Sequence, residues 1–141
     1  MPKHSSRFSE KIKRLEANKT NLLFCARERI AAEQPIEAAR AFAQAAQLEE
    51  EIATVLKGDG FLKDALISWV SAASCYHLAG DFSEALRVSE LVLSNPDGER
   101  YRDVIERIKI DCEEKIAALI AMQYVSPLPE EQRPSHGKSF P

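Results

Sequence analysis

At 141 residues the chain is long enough for one well-filled core and short for two. Its 45% hydrophobic and 29% charged residues suit a globular protein, and no apolar run reaches the length of a membrane span, so membrane contact is not expected. A net charge of −3 supplies no overall basic field to attract phosphates, which argues against nucleic acid as a partner.

That charge is unevenly placed. Residues 1–20 carry Lys3, Arg7, Lys11, Lys13, Arg14 and Lys19 against Glu10 and Glu16, and the remainder is acidic. A basic amphipathic start suits an anionic membrane or an acidic partner, but the solvated face of a long helix accounts for it more simply. Three cysteines, Cys25, Cys75 and Cys112, are widely spaced within helical patterns. They read as small buried apolar residues in a reducing compartment, with the cytoplasm as the expected location.

Helical periodicity runs through most of the chain and no segment alternates long enough for a strand, so the class is all-α. A first helix over about Ser6 to Glu33 has apolar residues at Phe8, Ile12, Leu15, Leu22, Ala26 and Ile30. Asn18 to Asn21 is its weakest stretch and a candidate break. Pro35 suits the first turn of a second helix, which carries Ala38, Phe42, Ala45, Ile52 and Leu56 on one side and ends at Gly58-Asp59-Gly60. A third helix, about Phe61 to Ala79, shows Leu62, Ala65, Leu66, Trp69, Ala72, Ala73 and Tyr76 at three-four spacing.

Gly80 ends that helix, and Asp81 with Glu84 predicts a capping box for a fourth, which buries Phe82, Ala85, Leu86, Ser89, Val92 and Leu93. Asn95-Pro96 stops it and offers a cap for a fifth helix, whose stripe is Tyr101, Ile105, Ile108, Cys112, Leu119 and Met122. The domain division read from this is a basic helical extension over 1–18, a helical domain over 19–125 and a Pro-rich disordered tail over 126–141.

Counted from Leu66, the residues Trp69, Ala73, Tyr76, Gly80, Phe82, Ala85 and Leu86 follow a 34-residue pattern that resembles the tetratricopeptide repeat. Ser89 departs from it where the family prefers an aromatic, and Pro96 comes one residue early. A weaker unit from Lys19 has Leu22, Ala26, Ala38, Phe42 and Ala45 in place. The marker residues Ala38 and Ala85 are 47 apart, so a tandem array needs about 13 extra residues between the units. The resemblance implies a right-handed stack of antiparallel helical hairpins, about five helices with the last as a cap. It also implies a concave docking surface lined by the first helix of each pair.

On that surface the positions of the family's carboxylate clamp hold Leu23, Arg27 and Ser71, so a clamp for a chaperone terminus is not expected. The implied groove residues are Leu23, Arg27, Ile67, Val70, Ser74 and His77, a mixed and partly apolar set that suits an amphipathic helix or extended peptide. The expected role is therefore a non-enzymatic adaptor or chaperone-like scaffold with another protein or peptide as partner. The alternative is a structural subunit that self-associates as a homo-oligomer through the same surface.

Chemistry finds little purchase. Cys75 and His77 point to different sides of a helix and make a poor chelate, so neither metal nor cofactor is expected. His4 and His136 lie near the ends of the chain, and His77 has no evident nucleophile partner. Glu49-Glu50-Glu51 and Glu113-Glu114 are consecutive on helices and fan outward, which reads as solvation.

Overall fold

A computed structural model describes residues 9–124. It contains five α-helices: α1 (Glu10–Ala31), α2 (Pro35–Gly58), α3 (Leu62–Leu78), α4 (Phe82–Leu93) and α5 (Arg102–Tyr124), with a 3₁₀ helix Pro96–Tyr101 before α5. No strand occurs among the described residues. The regions 1–8 and 125–141, with His4, His136 and the Pro-rich stretch, lie outside them.

Local chemistry explains most boundaries. Ser9 caps α1 by accepting the Ile12 N–H at 3.2 Å, and the helix then passes through Asn18 to Asn21 without a break. The division drawn at Lys19 thus falls inside one continuous element, because Leu15, Leu22 and Ala26 keep packing on either side of the polar stretch. Pro35 occupies the first turn of α2 as its fixed φ and missing N–H favour.

The three turns joining α1 to α4 share one hydrogen-bond pattern. Gln34 N–H donates to Arg29 O, Phe61 N–H to Leu56 O and Asp81 N–H to Tyr76 O, each enclosing an inner bond from the preceding residue to the carbonyl three residues back. This arrangement needs a left-handed residue just before the last donor. Gly60 (φ 90°) and Gly80 (φ 78°) meet that need, while the first turn uses Glu33 (φ 60°). Similar turns give similar hairpins, so α1 to α4 fold back and forth, each packed on the next.

Two expectations at helix starts are corrected. Asp81 makes no side-chain cap bond, and Glu84 turns to Arg87, which donates to it at 2.7 Å, so the capping box does not form. Asn95 does cap, but its side chain accepts from Asp97 N–H and opens the 3₁₀ helix before α5. Gly98 in that segment is buried against α4, where an added Cβ meets Val92 O at 2.0 Å.

The core runs the length of the bundle through Ile12, Ile52, Leu66, Trp69, Tyr76, Val88, Val92, Ile105 and Cys112. The alanines Ala45, Ala46, Ala53, Ala65, Ala72, Ala73 and Ala85 lie between them, fully buried, and let the helices approach closely. A smaller cluster of Ala26, Ala41 and Phe42 meets Ala79 near the turn after α3. Cys75 and Cys112 are buried as expected; Cys25 is only half-buried. No described helix is long and apolar enough to cross a membrane.

Candidate functional site

The helices are not evenly spaced across the bundle. No Cα of α1 comes within 8 Å of one in α3, whereas α3 and α5 do approach that closely. Both α1 and α3 rest on α2, so α2 is the shared floor beneath them.

Charge is built into this floor. Glu49 on α2 is only 4% exposed, and its carboxylate lies 3.2 Å from Lys19 Nζ, which also reaches Glu16 at 2.8 Å along α1. Ser68 on α3 is near enough to favour the anion of the same carboxylate, so side chains from three helices converge on Glu49. Burial raises the Glu49 carboxyl above its ordinary value, and Lys19 opposes that rise. Burial acts to lower Lys19, but Glu16 and Glu49 together outweigh it and hold the ammonium above its usual value.

These groups sit where solvation was expected. Of the run Glu49-Glu50-Glu51, only Glu51 is exposed. Glu50 is half-buried and accepts from Tyr76 Oη at 2.5 Å and from Arg87 Nη2 at 2.7 Å, which joins α2, α3 and α4. Consecutive residues do fan apart, but here the fan spans two covered flanks of α2.

The six groove residues divide between different environments. Leu23 packs against both apolar clusters, while Arg27 on the next turn is exposed and close enough to influence the Cys75 thiol. Burial is the larger influence there and pushes that thiol up to about 11, which leaves it a weak nucleophile. Ile67 is 51% exposed and Ser74 half-buried on the outer side of α3.

Val70 and His77 are not free. Val70 packs against the core, and His77 Nε2 lies 2.5 Å from Asp111 Oδ2 on α5. Lys115 approaches the same carboxylate at 3.2 Å and stands 5.7 Å above the Phe82 ring, which His77 also meets at 6.1 Å. The His77 bond, with Lys115 second, holds the Asp111 carboxyl below its usual range. His77 therefore faces the α3–α5 seam.

Apolar side chains remain exposed on both helices: Phe24 and Ile30 on α1, Ile67 and Leu78 on α3. Among the described residues no group of three or more His, Cys, Asp or Glu is arranged to hold a metal ion. No protein-family model, curated protein or solved structure matches the chain.

Proposed function

We propose that this chain is a non-enzymatic protein-interaction module of tetratricopeptide-like build, whose groove between α1 and α3 takes an amphipathic helix or extended segment of a partner protein. The carrying observation is the separation of α1 from α3 over a shared α2 floor, with Phe24 on α1 and Ile67 and Leu78 on α3 each more than half exposed. Exposed apolar side chains along a groove favour burial against a partner. Arg27 supplies a cation on the same side and fits a partner with a carboxylate near its apolar anchor.

The closed Lys19–Glu49 pair supports a binding reading over a chemical one, because each charge is held by the other and neither is directed at a reacting atom. The test pairs Arg27→Glu with Ile67→Glu, two exposed positions whose change leaves the core intact. Partners captured by wild type from native extract, confirmed by direct titration with the purified partner, are expected to bind at least tenfold more weakly to the folded pair variant. Equal affinity for the variant rejects the groove.

A further inference from the structure

A second candidate surface lies where the first turn of α3 meets the 3₁₀ helix. Leu66, Pro96 and Tyr101 give the apolar lining of a recess of about 440 Å³ there, and Lys63, Asp97 and Arg100 stand around it. A neighbouring recess of about 550 Å³ has Phe61 and Leu62 as its apolar lining. Lys63 and Asp97 belong to both. Each recess is the size of a site that takes a small molecule or a few side chains.

The wall supplied by the 3₁₀ helix is fixed. Asn95 caps it, Gly98 N–H donates to Asn95 O at 2.8 Å, and Gly98 is pressed against Val92 O where no side chain fits. The charges around the recesses are less committed. Of the acids that line them, Glu99 is held by Arg102 at 3.0 Å and Asp64 is engaged within the chain. Lys63, Asp97 and Arg100 are exposed and have no ion-pair partner among the described residues, and Arg100 spreads over the Tyr101 ring at 5.6 Å.

We infer that the two recesses take an extended segment of a partner protein, with apolar side chains at positions two apart and an acidic residue after the second. Side chains alternate along an extended chain, so two apolar residues with one between them point the same way and each fills one recess. The peptide groups between them pass Lys63 and Asp97, and present a carbonyl to the ammonium and an N–H to the carboxylate. This pairing selects a peptide, because a simple anion or cation is attracted by one member and repelled by the other. Arg100 lines only the Leu66 recess, and its guanidinium matches a carboxylate on the residue that follows that anchor. The surface shares no lining residue with the face between α1 and α3, so it stands or falls independently of the proposed groove.

The probe is the capped peptide acetyl-Leu-Ala-Leu-Asp-amide, added to about 10 mM while the amide resonances of the full chain are followed by NMR. Saturable shifts are expected at residues 60–66 and 97–101, with a midpoint in the millimolar range. The same peptide ending in Lys in place of Asp is expected to bind about fivefold more weakly. Lys63→Glu with Arg100→Glu changes two exposed side chains and is expected to reverse that preference, a result that loss of folding cannot produce. No saturable shift by 10 mM, shifts centred outside the two recesses, or a preference untouched by the double substitution overturns the inference.

Discussion

Lys19 Nζ lies 3.2 Å from Glu49 Oε2, at a point where the carboxylate is nearly sealed from water between α1 and α2. The pair clamps α1 to α2. Removing Lys19 leaves a buried carboxylate uncompensated, a change that costs about 3–5 kcal/mol in closed sites and falls at the low end here because Lys19 is itself partly exposed. Urea unfolding of Lys19→Ala is expected to show this loss, while Lys19→Met with Glu49→Met recovers most of it. Equal stability of the single variant and wild type counts against the pair.

Tyr76 joins apolar packing to a charged acceptor, with its ring in the core and its hydroxyl donating to Glu50. Tyr76→Phe is expected to cost about 1.5–3 kcal/mol, the range for a hydrogen bond to a charged group. Tyr76→Ala adds a cavity and is expected to reach about 3–5 kcal/mol. Chemical denaturation of both variants separates the two contributions.

Glu33 occupies the left-handed position that the two matching turns give to glycine. A side chain there carries a penalty of roughly 1 kcal/mol that glycine avoids. Glu33→Gly is accordingly expected to raise the melting temperature by a few degrees, against the usual trend for introducing glycine. A fall in melting temperature indicates a different turn.

Ser89 is fully buried and its Oγ has no hydrogen-bond partner. Replacing it by alanine removes an unsatisfied polar atom with little change in volume, and is expected to stabilise the fold by about 1 kcal/mol. Calorimetry decides the sign.

Asp111 provides the pH dependence of the α3–α5 seam. Its folded carboxyl lies below the ordinary 3.8 because His77 and Lys115 favour the anion. Such a group contributes stability above its unfolded value and loses it as pH falls through the lower folded value. The melting-temperature gap between wild type and Asp111→Asn is therefore expected to hold from pH 7 to 5 and close below about pH 4. A gap that persists at pH 2 assigns the difference to packing.

The sequence by itself determined the all-helical class, the positions of the turns at Gly60 and Gly80, and most of the core, because helical spacing and turn chemistry are local properties. It also carried a signal for the buried pair. Lys19 interrupts the apolar series Ile12, Leu15, Leu22 and Ala26, and Glu49 interrupts Ala45, Ala46, Ile52 and Ala53, so two opposite charges stand at core positions of successive helices. Reading Glu49 as one of a solvated acidic run obscured that signal.

Only the tertiary structure decided which flank of each helix is covered. Periodicity places Val70 and His77 on the outward half of α3, but Val70 packs on the core and α5 engages His77, leaving Ile67 and Arg27 accessible. The physical reason is that a helix carries its apolar stripe in its own sequence, while exposure elsewhere depends on where its neighbours begin and end. The short α4 beside the long α5 is such a case: Ile108 and Leu119 lie in one stripe, and the end of α4 leaves one buried and the other half exposed.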